Sequence, residues 1–240
     1  MEEVLLEMER LVRPGISTIE LNDVAADIIK SHGATASFLN YKGFPYSICA
    51  SINEQVVHGF SGKRVLKDGD IISVDVGAKL QGWHGDAART FLVGNVAPEI
   101  QELVRVTKES FFVGIKQARA SNRLYDISAA IQEHAERHGY GVVRELVGHG
   151  IGRSLHEAPD VPNYAELKRG RGPRLRAGMT LAVEPMINMG TADVWLLEDQ
   201  WTVVTQDGLP SAHYENTIAI TDDEPLLLTC TCQNPEEKQS

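Results

Sequence analysis

The sequence has few cysteines, a deficit of basic residues and no long apolar run, and each shortage excludes a class of protein. Three cysteines in 240 residues, without framework spacing, exclude a disulfide-stapled fold. A formal net charge of −10 argues against binding of free nucleic acid, because phosphate contacts rest on lysine and arginine. No window approaches the roughly 20 apolar residues of a membrane span. The acidic first residues also lack the basic start of a signal peptide. We therefore expect a soluble, cytoplasmic protein with no membrane partner.

The remaining composition is that of an ordinary globular protein, with 42% hydrophobic and 23% charged residues. Helical patterns cover 2–12, a segment from the capping box Ser17-Thr-Ile-Glu20 to His32, a stretch from Pro98 to about Ala120, and one from about Asp126 to His138. Strand patterns cover 71–78, 86–93, 180–187 and 215–221. Helices precede strands in each half, which predicts an α+β fold with helices on one face of a curved sheet. We expect one domain over 1–229, with pseudo-repeats of about 1–95 and 96–229 and a disordered tail at 230–240.

Two stretches of the chain are diverged copies of each other. Each contains a histidine followed by glycine, then a Leu-x-x-Gly turn, then valine and an acid; a second acid opens an apolar run. The histidine and the two acids are His58, Asp75 and Asp86 in the first copy and His149, Glu184 and Glu215 in the second. A duplicated unit of this kind can close around a pseudo-two-fold axis. The repeat therefore predicts a central site of four carboxylates.

Four converging carboxylates need cations. Without compensation they repel one another, and some would hold protons at a raised pKa. Two divalent ions set roughly 3.5 to 4 Å apart and bridged by acids are typical of two-metal hydrolases. Oxygen ligands with one or two imidazoles favour Mn, Fe, Co or Zn over the ions of a thiolate site. The sequence therefore predicts two divalent metal ions and leaves their identity open.

The second copy is the longer of the two. Its histidine and first acid are 35 positions apart, against 17 in the first copy, and its two acids are 31 positions apart, against 11. Long irregular segments stay at the surface and often carry function. We expect the insertions, which contain His156, Trp195 and Trp201, to form the rim of the site.

The motifs occur in an order and spacing that resemble type I methionine aminopeptidases over residues 15–228. They are Asn53-Glu-Gln-Val-Val-His58-Gly, the strand ending in Asp75, His84-Gly-Asp86, Gly148-His149-Gly-Ile-Gly152, His156-Glu-Ala-Pro159, Glu184-Pro185 and Glu215-Asn216. The resemblance implies the pita-bread fold, a curved antiparallel sheet flanked by helices. It also implies removal of the N-terminal methionine from nascent polypeptides when the second residue is small.

The resemblance also implies roles for single residues. Five metal ligands map to Asp75, Asp86, His149, Glu184 and Glu215, of which Asp86 and Glu215 bridge the ions, and a metal-bridging water attacks the peptide carbonyl. Glu184 is also the expected proton shuttle. His58 and His156 are expected to hydrogen-bond the substrate and its tetrahedral intermediate. The methionine side chain is expected to pack against Tyr41, Phe44, Cys49 and Trp201.

Two positions depart from the family pattern. Leu155 stands where relatives often have an aromatic residue, and Phe38 where some have a smaller one. Leu155 is expected to widen the methionine pocket. The resemblance further implies a monomer, and contact with the ribosome near its exit tunnel is a further hypothesis.

Two alternative functions stay open. A proline-selective aminopeptidase or prolidase of the same fold would use the same five ligands but normally carries a large extra N-terminal domain. A metal-free binding protein of this fold would have lost ligands, whereas all five are present. His134 and His138 share a helix face, but the acid between them is misplaced for His-Glu-x-x-His, so a solvated face is expected. His213 lies in no pattern and is expected to be an ordinary surface or packing residue.

Overall fold

The computed structural model of the chain describes residues 1–165 and 170–230. The described part contains four α-helices: α1 (Glu2–Leu11), α2 (Thr18–Ser31), α3 (Pro98–Ile115) and α4 (Leu124–Arg137). The strands that precede α3 are β1 (Thr35–Ala36), β2 (Cys49–Ile52), β3 (Gln55–Val57), β4 (Ile71–Leu80) and β5 (Trp83–Leu92). Those that follow α4 are β6 (Gly141–Val142), β7 (Gly148–Gly150), β8 (Glu157–Val161), β9 (Thr180–Val183), β10 (Met186–Asn188), β11 (Val194–Leu196), β12 (Val203–Thr205), β13 (Ser211–His213), β14 (Asn216–Ala219) and β15 (Leu226–Leu227).

The helix ends follow from local hydrogen bonds. The predicted capping box is present at α2, where the Glu20 carboxylate accepts from the Ser17 N–H at 2.9 Å. Helix α3 ends at Ile115, earlier than expected, because the chain turns and the Ala120 N–H donates to the carbonyl of Thr221 at 3.1 Å. Helix α4 starts two residues before Asp126, whose carboxylate accepts from the N–H at the helix N-cap.

Each half builds its own core from two helices packed on one sheet. In the first half α1 and α2 cover β2, β4 and β5 with a cluster that includes Leu21, Ala25, Ile72 and Val74. In the second half α3 and α4 cover β9 and β14 with a cluster that includes Phe111, Ile127, Leu181 and Ile218. Burial of apolar side chains on one face of each sheet leaves the opposite faces available for a site between the halves.

The strands form four antiparallel sheets. Strand β4 pairs with β1 and β2 on one edge and with β5 on the other, and β15-β14-β9-β7-β8 make the matching sheet of the second half. Two three-stranded sheets, β13-β10-β6 and β11-β12-β3, complete the set. The expected strand at 180–187 is wrong in one respect, because it divides into β9 and β10, which belong to different sheets. Pro185 lies at the break and has no N–H to offer a ladder.

The halves join where β5 and β14 run side by side. Ala88 and Glu215 exchange two main-chain hydrogen bonds, with N···O distances of 3.3 and 3.0 Å. This contact brings the second acid of each repeat, Asp86 and Glu215, to the middle of the molecule, as the repeat predicts.

Two expectations concern other parts of the chain. The disordered tail predicted at 230–240 lies, from residue 231 onward, outside the described residues. Among the described helices none combines the length and the apolar character needed to cross a membrane.

Candidate metal centre and substrate pocket

One cavity of about 170 Å³ collects the residues that the sequence singled out. It is lined by Phe38, Tyr41, Lys42, Phe44, Cys49, His58, Asp75, Asp86, His149, His156, Glu184, Trp201 and Glu215. These include every predicted metal ligand, both predicted substrate histidines and the four predicted pocket residues. Lys42 is the one basic side chain among them that sequence reasoning did not anticipate.

Strand register places the acids of the first half on one face. In the ladder between β4 and β5, Asp75 lies opposite Ala88 and Gly77 lies opposite Asp86. Residues two apart on a strand share a face, so the two carboxylates are diagonal neighbours on the same side of the sheet. In the second half Glu184 follows β9 and Glu215 precedes β14, at the same end of their ladder. Two acids therefore come from the middle of β4 and β5 and two from the ends of β9 and β14, and all four line the same cavity.

The cluster is electrostatically unbalanced as a set of carboxylates. Burial, together with the neighbouring acids, raises the pKa of Asp75, Glu184 and Glu215 well above the usual range. Burial likewise raises the pKa of Asp86 to about 7. Within the described part of the chain no hydrogen-bond partner reaches Asp75 Oδ1, Asp86 Oδ1 or Glu215 Oε1. Buried carboxylate oxygens without partners are costly unless cations compensate them. The donor set therefore fits divalent metal.

His149 is oriented as a ligand. Its Nδ1 donates to the carbonyl of Gly150 at 2.8 Å, which leaves the Nε2 lone pair directed at the acids. Nε2 lies 3.9 Å from Asp86 Oδ2 and 3.7 Å from Glu184 Oε1. Ligand atoms of Asp86, His149 and Glu215 all lie within 4.8 Å of one another. This trio is the tightest potential metal-binding group in the described part of the chain.

Close packing of the main chain explains why a glycine follows each repeat histidine. A Cβ on Gly150 would meet the carbonyl oxygen of Ala158, and one on Gly59 would meet that of Ala50. Both glycines therefore allow a close approach of main chain to main chain beside a functional histidine. The shared His-Gly motif thus reflects the same steric need in both halves.

His58 differs from its counterpart in conformation. Its φ is +59°, a left-handed value that is unusual outside glycine and costs conformational energy. Burial lowers the pKa of its imidazole, and the neighbouring main chain of Trp201 offsets part of this shift. Among the described residues no carboxylate oxygen lies within 4.0 Å of its ring nitrogens. His58 is a neutral imidazole at the cavity wall and lies away from the acids.

His156 lies between Tyr41 and His149 in the cavity wall. Its Nδ1 is 2.8 Å from the hydroxyl of Tyr41, and the two rings stack at 5.2 Å. On its other side the ring contacts His149, with centroids 4.1 Å apart. Burial, followed by the neighbouring positive charges, lowers the pKa of His156 to about 4. The imidazole is therefore neutral at physiological pH.

The apolar end of the cavity is aromatic. Phe44 meets Trp201 edge-on at 5.1 Å, and Tyr41, Phe38, Cys49 and Leu155 belong to the same apolar cluster. Leu155 is buried in this cluster, behind the residues that line the cavity, so the expected widening of the pocket at this position stays a prediction. The Phe38 ring fills the space above Gly77, where an added Cβ would approach it to 2.8 Å.

His213 was missed by the sequence reasoning. It is buried, its Nε2 lies 3.9 Å from Glu184 Oε2, and burial lowers its pKa to about 3. One signal could have found it. His213 precedes Glu215 by two residues, as His84 precedes Asp86, so the repeat extends to a second histidine in each half.

His134 and His138, the two histidines of helix α4, lie outside the cavity lining, although one expectation about them needs correction. His134 is absent from the cavity lining, as expected. Its side chain is only 14% exposed, however, and it lies 3.4 Å from Glu109 of α3. His134 therefore lies at a helix–helix contact, whereas His138 is exposed as expected.

A buried group of four carboxylates and a histidine, held between two copies of a helix-on-sheet unit, defines a metal-dependent hydrolase. The chain belongs to metallopeptidase family M24, whose model matches residues 1–222. Within that family it belongs with the methionine aminopeptidases. It is 56% identical to the methionine aminopeptidase of Clostridium perfringens over 227 residues, which cover 95% of this chain and 90% of that protein.

Solved structures agree with this placement. The crystal structure of methionine aminopeptidase from Rickettsia prowazekii matches with a TM-score of 0.93 at 44% identity, covering 95% of this chain and 92% of that one. A Xaa-Pro dipeptidase from Bacillus anthracis matches with a TM-score of 0.75 at 22% identity, and this chain covers only 58% of it. The second match concerns the fold alone. The predicted family, the predicted fold class and the prediction of a metal-dependent hydrolase are therefore confirmed.

Proposed function

We propose that this chain removes the N-terminal methionine from polypeptides whose second residue is small, using two divalent ions held by the buried acids. One observation carries the proposal: five potential ligands, two neutral histidines and an aromatic pocket line a single cavity. Membership of the methionine aminopeptidases supports the substrate. Manganese, iron, cobalt and zinc all suit the ligand set.

The proposed ligand assignment follows the resemblance of the motifs to those of methionine aminopeptidases. Asp86 and Glu215 would bridge the ions, Asp75 would hold one of them, and His149 with Glu184 would hold the other. The raised pKa values of the acids support this assignment, because cations would replace protons that the metal-free cluster retains. Divalent ions, when bound, lower the pKa of water and polarise a carbonyl group.

Glu184 is the proposed proton carrier. Burial holds its pKa above the usual range, which suits a carboxylate that accepts a proton and then gives it to the leaving amine. Asn163 donates to the main-chain carbonyl of Glu184 at 2.9 Å and holds this segment in place. The Glu184 side chain itself stays available for proton transfer.

Of the two substrate histidines, His156 is proposed to donate a hydrogen bond to the substrate and His58 to accept one from it. Tyr41 engages Nδ1 of His156, so Nε2 of the neutral ring can donate to the developing oxyanion of the substrate. Burial lowers the pKa of His58, and a neutral imidazole has one ring nitrogen that is an acceptor. It would accept from the N–H of the peptide bond being cleaved. The aromatic end of the cavity would receive the methionine, whose thioether packs well on aromatic rings.

The experiment compares two peptides and several metals. Metal-free protein, reconstituted separately with Mn²⁺, Fe²⁺ or Co²⁺, is assayed on Met-Ala-Ser and on an Ala-Pro peptide. We expect cleavage of Met-Ala-Ser only, and no cleavage without metal. Turnover of Ala-Pro in preference to Met-Ala-Ser would instead support the proline-selective alternative, which so far rests on fold likeness alone. Full activity of the metal-free protein would refute the metal-dependent mechanism.

Several predictions from the sequence stay predictions. They are the single domain over 1–229, the monomeric state, the cytoplasmic location and the contact with the ribosome.

A further inference from the structure

The halves of the site meet along a seam, which we define as three facing pairs between β5 and the segment 213–217, which joins β13 to β14 and contains Glu215. The pairs are Asp86 with Thr217, Ala88 with Glu215, and Thr90 with His213. The seam is pseudo-symmetric about its first two pairs. Asp86 faces the residue two positions after Glu215, and Glu215 faces the residue two positions after Asp86.

The pairs are joined in two different ways. Ala88 and Glu215 use main-chain groups on both sides. At Asp86 the hydroxyl of Thr217 takes over: it accepts from the Asp86 N–H at 2.9 Å and donates to the Asp86 carbonyl at 2.9 Å. A hydroxyl has one donor and two acceptor sites, so a single side chain satisfies both main-chain groups of Asp86. Thr217 is buried, and no solvent competes for these bonds.

The position of the Asp86 carboxylate depends on this contact. One of its oxygens, Oδ1, has no hydrogen-bond partner among the described residues, while the carboxyl group also interacts with the side chain of Asp75 and the main chain of Ala87. The main chain of Asp86, which Thr217 holds from the opposite half, determines where this carboxyl group starts. Thr217 also follows Glu215 by two residues on the same stretch of chain. One hydroxyl therefore connects the two acids that are proposed to bridge the metals.

We propose that Thr217 is a positioning residue that fixes the distance between the bridging acids Asp86 and Glu215 and thereby sets the affinity of the site for divalent metal. The inference rests on the proposed function. The first half has no equivalent device, because Ala88 stands at the symmetric position. There the carbonyl of Glu215 instead accepts from the guanidinium of Arg89 at 2.6 Å, and the guanidinium lies over the ring of Tyr214.

The seam contains its own control. The hydroxyl of Thr90 accepts from the His213 N–H and donates to the His213 carbonyl, both at 2.9 Å. This is the same pair of bonds that Thr217 makes, but it is made to a residue outside the proposed ligand set. The Thr90 hydroxyl also lies 2.7 Å from that of Ser73, so its loss should destabilise the fold at least as much as loss of the Thr217 hydroxyl. Only loss of the Thr217 hydroxyl should change metal binding.

The test uses Thr217→Val, Thr217→Ser and Thr90→Val. Metal-free protein is titrated with Co²⁺ by calorimetry and by visible absorption, and melting temperature, kcat and KM are measured alongside. We expect Thr217→Val to bind Co²⁺ at least about tenfold more weakly than wild type, as for other groups that orient metal ligands. Thr217→Ser, which keeps the hydroxyl, should stay within about threefold. Thr90→Val should melt lower but bind Co²⁺ within about threefold of wild type.

Two results would overturn the inference. One is Co²⁺ affinity of Thr217→Val within threefold of wild type. The other is an equal loss in Thr217→Ser, which would show that the hydroxyl is not responsible. If Thr217→Val does not fold, Thr217→Ala is measured against the same limits. Failure of wild type to bind any divalent ion would refute the proposed function itself, whereas normal binding by wild type and by all Thr217 variants would refute only the role of Thr217.

Discussion

His58 and His149 occupy equivalent positions in the repeat, yet their main-chain conformations and their neighbours differ. His149 lies in β7 and directs its free nitrogen at two carboxylates. His58 has a left-handed main chain, and its ring meets that of Trp201 edge-on, with centroids 6.3 Å apart. Trp201 belongs to the insertion of the second half, whose strand β12 pairs with β3 just before His58. The insertion therefore changes the environment of the first-half histidine, which supports the separate role proposed for it.

The largest expected effect concerns the second acid of each repeat, a feature that both halves share. Asp86→Ala and Glu215→Ala each remove one proposed bridging acid, and each should lower kcat/KM on Met-Ala-Ser by on the order of a thousandfold or more. The loss should be similar for both because the seam places them symmetrically. Metal content, measured on the same preparations by atomic emission, should fall in both variants.

His134→Ala is the matched control for these variants, since it removes a histidine between α3 and α4 that does not line the cavity. Its kcat/KM should stay within about twofold of wild type, as expected for a site remote from the chemistry. An equal loss in His134→Ala and Asp86→Ala would contradict the ligand assignment.

The second prediction separates the two repeat histidines. His149→Ala should lose both bound metal and activity, because it removes a proposed ligand. His58→Ala should keep its metal yet lose on the order of a hundredfold in kcat, because it removes a hydrogen bond to the reacting peptide. Bound metal and kcat of both variants decide the matter. If His58→Ala also empties the site, the two-fold symmetry extends to the ligands and the role given to His58 is wrong.

How much of this site the sequence could predict depends on the kind of interaction involved. The repeat located the four acids because strand period and spacing fix which side chains share a face. It did not reveal the break at Pro185, which separates β9 from β10, because an apolar run reads as one strand until its partners are known. The bond from Thr217 to Asp86 spans 131 positions and depends on register between two strands, which no local pattern encodes. His213 differs in this respect, since the repeat itself contains it: it precedes Glu215 by two residues, as His84 precedes Asp86.

The third prediction concerns the contact between Tyr41 and His156. Tyr41→Phe keeps the ring that stacks on His156 and removes only the hydroxyl that engages Nδ1. The imidazole can then adopt either tautomer, so its donor is less often directed at the substrate. We expect kcat to fall about tenfold with KM nearly unchanged. The ¹⁵N chemical shifts of the His156 ring provide the independent measurement, because they distinguish the two tautomers. A raised KM with unchanged kcat would assign Tyr41 to methionine binding alone.

The smallest expected effect is on the stability of the metal-free protein, which is lowered because acids from both halves lie close together. Burial raises the pKa of Asp86 from 3.8 to about 7, so between these values the folded metal-free protein holds more protons than the unfolded chain. The contribution of this group to stability is full below pH 3.8 and is lost as the pH rises through 7. The buried histidines act in the opposite direction, because their pKa values are lowered, but their contribution is essentially complete above their unfolded pKa of about 6.5.

At pH 8 the carboxylates alone should therefore destabilise the metal-free fold. Asp86→Asn mimics the protonated acid, and without metal it should melt about 2 to 4 °C higher than metal-free wild type at pH 8. At pH 5 the two proteins should melt within about 1 °C of each other, since wild-type Asp86 is then protonated. Added Mn²⁺ should raise the melting temperature of wild type more than that of Asp86→Asn, because the variant has lost a bridging carboxylate. Scanning calorimetry at both pH values measures all three comparisons. A lower melting temperature for metal-free Asp86→Asn at pH 8 would mean that the acids of the two halves are already balanced without metal.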